Sequence, residues 1–181
     1  MTEQERQQIL RRYQGKVSRI QGQQFEDLIS AGCDYYRELD IADIEKTPEP
    51  MKPIKSLGGG RFVAVYTKEA QCDYKGYLRG GKAVYFEAKS TDTGRMEFDR
   101  LTENQRDRLE RAYRMGTHSF VLVCFGMVSF HRIPWPIWRD MKKHFGHKYI
   151  TPQEVAAYRL RIAAPDVLMF LDNLNESEDT P

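Results

Sequence analysis

Asp73, Glu87 and Lys89 lie in the stretch QCDYKGYLRGGKAVYFEAKS (71–90), among residues that favour β-strands. Glu87 and Lys89 are two positions apart, so on a strand they share one face, about 6.5–7 Å from each other. The glycines of GYLRGG let the chain turn back and carry Asp73 beside them. One reading is a solvated strand edge, with charges facing water. The other is a site that hydrolyses phosphodiesters. There Asp73 and Glu87 would hold Mg2+, with Mn2+ as its substitute, an ion that takes a few carboxylate oxygens and keeps several waters. Such an ion makes bound water a better nucleophile and neutralises charge on the scissile phosphate. Lys89 would orient or deprotonate that water and stabilise the charged transition state.

These residues need a sheet and helices to hold them. Phe25, Leu28, Ile29, Tyr35, Tyr36 and Leu39 follow helical spacing and predict an amphipathic helix from Val17 to about Leu39, preceded by a polar, loosely helical start. IADIEK alternates as a short strand, and the prolines of TPEPMKP favour an exposed, extended path. SLGGGRFVAVYTKEA places the Gly58–Gly60 turn between strand-like runs, a candidate protruding arm over about 53–71. Two strands then flank RGG. In the second, Ala83, Tyr85, Glu87 and Lys89 share one face and Val84, Phe86 and Ala88 the other.

LTENQRDRLERAYRMG predicts a helix with Thr102 and Gln105 at capping-box spacing and Gly116 as its stop. SFVLVCF reads as a strand buried on both faces, MVSFHRI as its neighbour, and Pro134 as the start of a long helix, PWPIWRDMKKHF. The fold class that follows is α/β, with a mixed sheet flanked by helices. Residues 1–172 are expected to form one domain and 173–181 an acidic, disordered tail.

The 181 residues carry 28 Lys and Arg against 26 Asp and Glu, a net charge of +2, which excludes a generic polycation. A nucleic-acid partner would therefore need a local basic surface. RQQILRRYQGKVSR, the Lys52–Lys68 segment and NQRDRLERAYR (104–114) are candidates, although mixed charge on a helix is usually a solvated face. Cys33, Cys72 and Cys124 are odd in number and widely spaced, which suits a reducing cytoplasm rather than a disulfide framework. No apolar run is long enough to span a bilayer, and the charged start lacks a signal-like apolar region. His144 and His147 in HFGH have no partner pair that would complete a zinc site.

The Asp73–x13–Glu87–Ala88–Lys89 pattern resembles the PD-(D/E)xK nuclease superfamily. More narrowly, GQQFEDLI…YY…IADIEKTPEP, DYKGYLRGGKAVYFEAKST and F…LTENQ…GTHSFVLVCF, in this order, resemble the RecU family of Holliday-junction resolvases, from about Gly22 to Phe130. The resemblance implies a restriction-endonuclease-like sheet with a projecting stalk, here the arm at about 53–71. It implies Asp73 and Glu87 as metal-binding carboxylates, Lys89 as the catalytic lysine, and Gln105 as a site glutamine on the following helix. Glu26 in FEDLI matches a glutamate that completes the metal site, against the alternative of a surface glutamate; Gln105 has its capping box as the alternative.

Lys55, Arg61 and Lys68 on the arm, with Lys75 and Arg79 just beyond it, are the expected DNA contacts. The implied protein is a bacterial or phage-encoded homodimer that nicks two opposed strands of a four-way junction and needs no small-molecule cofactor or membrane. A restriction-like or repair endonuclease on linear or flapped duplex, and a catalytically silent DNA-binding protein, are the competing functions. The helix carrying Trp135 and Trp138 lies past the resemblance.

Overall fold

The computed structural model of the protein describes residues 3–67, 72–163 and 167–174. Helix α1 (Glu3–Glu38) opens the chain. It begins well before Val17, because the preceding EQERQQILRRYQ contains good helix formers and no proline. Phe25, Ile29, Cys33 and Tyr36 recur on α1 at three- and four-residue intervals and are buried against the sheet.

Next come β1 (Ala42–Lys46), a hairpin of β2 (Met51–Gly58) and β3 (Arg61–Tyr66), then β4 (Tyr74–Leu78), β5 (Ala83–Thr91) and the short β6 (Met96–Glu97). Helix α2 (Glu103–Arg114) leads to β7 (His118–Phe125) and β8 (Ser129–Pro134). Two short helices, α3 (Trp135–Arg139) and α4 (Met141–Phe145), precede β9 (Tyr149–Ile150), β10 (Ile162–Ala163) and β11 (Val167–Leu168).

The main sheet has the order β1-β4-β5-β7-β8. Its pairs are antiparallel except β5 with β7, which are parallel and joined through α2. Every residue of β7 is buried, as its unbroken apolar run predicts. Phe120, Leu122 and Cys124 pack on the α1 side; Val121, Val123 and Phe125 pack on the other, with Leu109 of α2 and Trp135, Trp138 and Met141.

The single long helix expected after Pro134 is instead two helices broken at Asp140 (φ −96°, ψ 24°). The break lets Trp135, Trp138 and Met141 all reach one core, while Asp140 pairs with Arg139 at 2.8 Å on the surface. Gly146, at φ 83°, ends the second helix.

The β2–β3 hairpin forms a sheet of its own, and all its residues except Ala64 are exposed. Such a hairpin contributes little to a core. This is the expected arm, although Lys68 and Gln71 at its far end lie outside the described residues. At the other end of the chain, Leu168 to Leu171 and Leu174 pack against α1. The packed chain therefore continues past residue 172, the expected boundary, and the rest of the acidic tail lies outside the described residues. The carbonyls of Phe170, Asp172 and Asn173 accept from the buried Arg132 guanidinium at 2.7–3.2 Å. The Leu160 N–H bonds the Phe130 carbonyl and covers the β8 edge.

Gly76 of β4 lies so close to β1 that a Cβ there would sit 2.0 Å from the Asp43 carbonyl oxygen. Neither atom belongs to a flexible side-chain end, so the two strands must separate to admit it. Gly76→Ala is expected to cost at least about 2 kcal/mol of stability, measured by urea denaturation. A loss below about 0.5 kcal/mol would mean that the β1–β4 spacing is not tight.

Candidate functional site

The stretch that holds Asp73, Glu87 and Lys89 forms the adjacent strands β4 and β5, with Tyr74 opposite Phe86. Tyr74, Phe86 and Phe120 stack across three strands, with centroids 4.8 and 4.9 Å apart and planes within 9° of parallel. This ladder, on the α1 face, fixes the register. Asp73, one residue before Tyr74, is thereby brought level with Glu87, one residue after Phe86. The Asp73 Oδ2 accepts from the Ala88 N–H at 3.0 Å, which pins the carboxylate across the strands.

Glu87 points to the opposite face, towards α2, and is fully buried. The Lys89 ammonium lies 3.4 Å from Glu87 Oε2 and 3.8 Å from Asp73 Oδ2. Lys89 side-chain exposure is 16% and that of Asp73 is 32%, so solvent reaches the group through these two. The charged triad therefore converges rather than spreading along a solvated edge.

Gln105 makes both the cap contact and the carboxylate contact that its position allows. Its backbone N–H and side-chain oxygen close the capping box with Thr102, which starts α2. Its Nε2 donates to Glu87 Oε2 at 2.6 Å. The cap thus aims the amide at the carboxylate. The other oxygen, Oε1, has no hydrogen-bond partner among the described residues.

Burial foremost, then the neighbouring Asp73 charge, push the Glu87 carboxyl up to about 8, against a smaller opposing pull from Lys89. A divalent cation suits this environment: two adjoining carboxylates, one with an unpaired buried oxygen, match the sparse protein ligation that Mg2+ accepts. Burial and the Glu87 charge push the adjacent Cys72 thiol up to about 12, so it is a packed group and not a nucleophile.

Other expected site residues sit elsewhere. Glu26 does not join the carboxylate pair: its Oε2 is 2.6 Å from the Lys46 ammonium, an ion pair between α1 and β1. Among the described residues no three of His, Cys, Asp and Glu cluster closely enough to hold a metal ion. Arg79 donates to the Asp40 and Leu39 carbonyls, so it ties down the α1–β1 turn at the far end of β4 rather than facing the triad. Lys55 and Arg61 are exposed on the arm, Lys75 is half-buried on β4 opposite Tyr85, and Lys68 lies outside the described residues. His147 stacks on Tyr149 at 3.7 Å and bonds Glu154, which accounts for it without zinc. All three cysteines are buried and free, and no described helix is long and apolar enough to cross a membrane.

A mixed sheet with an Asp and a Glu-x-Lys converging on adjacent strands, closed by a helix glutamine, defines the PD-(D/E)xK class of nuclease. Within that class the chain belongs to the family described as recombination protein U, RecU, whose family model matches residues 20–176. The match runs past Phe130 and takes in the helix that carries Trp135 and Trp138, beyond the stretch of motif resemblance.

Two relatives named Holliday junction resolvase RecU are similar over most of their length. That of Geobacillus sp. (strain WCH70) is 33% identical over 155 residues, 78% of this chain and 75% of its own. That of Geobacillus kaustophilus (strain HTA426) is 29% identical over 147 residues, 74% and 72% respectively. A solved structure of Hjc, a Holliday junction resolvase from Archaeoglobus fulgidus, covers 75% of this chain and 93% of its own at TM-score 0.41 and 16% identity, a likeness too slight to inform the site.

The raised Glu87 carboxyl has a thermodynamic consequence. Between the ordinary glutamate value of 4.5 and about 8, the folded protein holds a proton that the unfolded chain has released. Stability from this group is therefore full below about pH 4.5 and is lost as pH rises through about 8. In EDTA, the melting temperature of the wild type is expected to fall from pH 5.5 to 8.5 more steeply than that of Glu87→Gln. Parallel curves would show that Glu87 is not buried in its charged surroundings.

Proposed function

We propose that this chain is a divalent-cation-dependent endonuclease that resolves four-way DNA junctions, acting as a homodimer. The observation that carries the chemistry is the convergence of Lys89 on Glu87 and Asp73 within 4 Å. Membership of the RecU family, with relatives named as junction resolvases, carries the substrate. Asp73 and Glu87 would hold the cation, with Mg2+ preferred and Mn2+ as substitute. When bound, it would activate a water and neutralise charge on the scissile phosphate.

The chain's own groups do the rest. The Lys89 ammonium, anchored by both carboxylates, is placed to orient the attacking water and to donate to the phosphoryl oxygens as charge builds. Gln105 holds Glu87 in one rotamer and supplies a donor that favours its charged form. The packed triad excludes bulk water from Glu87, which strengthens each of these interactions.

Paired nicks on opposed strands require two sites related by a two-fold axis, which a homodimer supplies. We take the packed chain as one nuclease domain whose exposed β2–β3 arm enters the open centre of the junction, with Lys55 and Arg61 contacting phosphates. Buried, free cysteines suit a reducing cytoplasmic setting.

The test compares a mobile four-way junction with a sequence-matched linear duplex, each with Mg2+. Paired symmetric nicks confined to the junction are expected. Equal cutting of both would favour a general endonuclease, and binding without cutting a silent DNA-binding protein. Asp73→Asn and Glu87→Gln should lower the cleavage rate by at least about 100-fold while leaving junction binding intact, and Lys89→Ala should lose activity with the cation still bound. Near-wild-type cleavage by any of these variants would remove that residue from the chemistry. Replacing Leu57–Val65 with a short glycine linker should abolish the preference for junction over duplex in a binding titration; an unchanged preference would make the arm an ordinary loop.

A further inference from the structure

β5 and α2 continue together beyond Glu87. Going back along β5 from Glu87, the same face presents Tyr85 and then Ala83, about 13 Å from the carboxylate position. α2 runs the other way: Gln105 touches Glu87, and Arg108, Ala112 and Met115 follow at helical spacing along the adjoining face over about 15 Å. Between these rails is an open groove of about 520 Å³, floored by Tyr85 and Ala83 and walled by Arg108, Arg111, Ala112 and Met115.

The charges in the groove are of one sign. Of the four α2 arginines, Arg106 pairs with Asp99 and Arg114 with Glu110 and neither lines the groove, whereas Arg108 and Arg111 do, with Arg108 held by the neutral Asn104 oxygen at 3.0 Å. Neither Arg108 nor Arg111 forms an ion pair among the described residues. Met115 is 81% exposed, so an apolar side chain borders the two guanidinium groups. Tyr85, half-buried in the floor, adds an aromatic surface. Unpaired guanidinium groups with an aromatic floor are the chemistry that receives a polynucleotide backbone and its bases.

We infer that this groove carries the nucleotides flanking the scissile phosphate on one side, with Arg108 and Arg111 on successive phosphates and Tyr85 against a sugar or base. The inference rests on the nuclease reading and deepens it, because it names how the cleaved strand is threaded to Glu87. Its residues differ from the arm: the arm selects the branched shape, and the groove sets the strand's position at the triad.

The test uses the full chain, a labelled four-way junction, and the double variants Arg108→Gln/Arg111→Gln and Arg108→Lys/Arg111→Lys. The glutamine variant is expected to raise the half-saturating DNA concentration roughly tenfold, and to make the slope of log affinity against log salt shallower by about 2. Its single-turnover rate at saturating DNA should fall by less than about threefold, and the lysine variant should recover the salt slope. Junctions trimmed on one side of the cut should lose the difference between wild type and the glutamine variant, and those trimmed on the other side should keep it. Unchanged affinity and salt slope in the glutamine variant, with the wild type cleaving normally, would overturn the groove assignment alone. A wild type that cuts no DNA with Mg2+ or Mn2+ would overturn the nuclease reading beneath it. Should the glutamine variant fail to fold, Arg111→Glu alone, at an exposed position, gives the same readout through its salt slope.

Discussion

The burial of Glu87 is the constraint on which the site depends. An isolated charged carboxylate in a protein interior carries a penalty of several kcal/mol. Here the penalty is met only in part, by Gln105 and Lys89 on one oxygen, while the other oxygen has no partner among the described residues. Asp73 adds a second negative charge beside it. A cation bound between the two carboxylates would relieve both the repulsion and the missing partner. Without it, the proton is the available substitute, and the carboxyl is pushed up to about 8.

The fold holds this unfavourable cluster in place by making everything around it rigid. On one side of the sheet, the Tyr74–Phe86–Phe120 stack sets the strand register, and α1 packs over it through Phe25, Ile29 and Tyr36. A slip of one residue would turn Glu87 into the aromatic core and Phe86 out of it. Gly76 allows β1 to lie close against β4, which carries Asp73 at its start. On the other side, the capping box fixes the first turn of α2, and with it the direction of the Gln105 amide. The exposed arm makes few demands on this frame, which leaves its sequence free for the DNA selection proposed for it.

Much of this was legible because period-two alternation exposes strands directly. The faces of AVYFEAKS, the buried run SFVLVCF and the capping signal at Thr102 each translate into geometry by a local rule. What stayed hidden depends on contacts between segments distant in sequence. Glu26 lies on the flank of its helix as expected, but Lys46, brought near by the β1–β4 pairing, takes its carboxylate. Arg79 is basic and close in sequence to Asp73, yet the chain direction of β4 carries it to the opposite end, where backbone carbonyls hold it. Arg132 gave no signal as a structural residue, since its partners are carbonyls about forty positions later. The break at Asp140 brings Met141 of the next helix into the core that already holds Trp135 and Trp138, a tertiary arrangement that helical periodicity alone does not reveal.

Calorimetric titration of Mg2+ into the protein near pH 7, in two buffers of different ionisation enthalpy, measures the central coupling between cation and proton. With the Glu87 carboxyl at about 8, binding should release most of one proton per ion near pH 7 and almost none above about pH 9.5. Glu87→Gln should release none at either pH. Binding at pH 7 without proton release, or with the same release in Glu87→Gln, would place the cation away from this carboxylate and contradict the account.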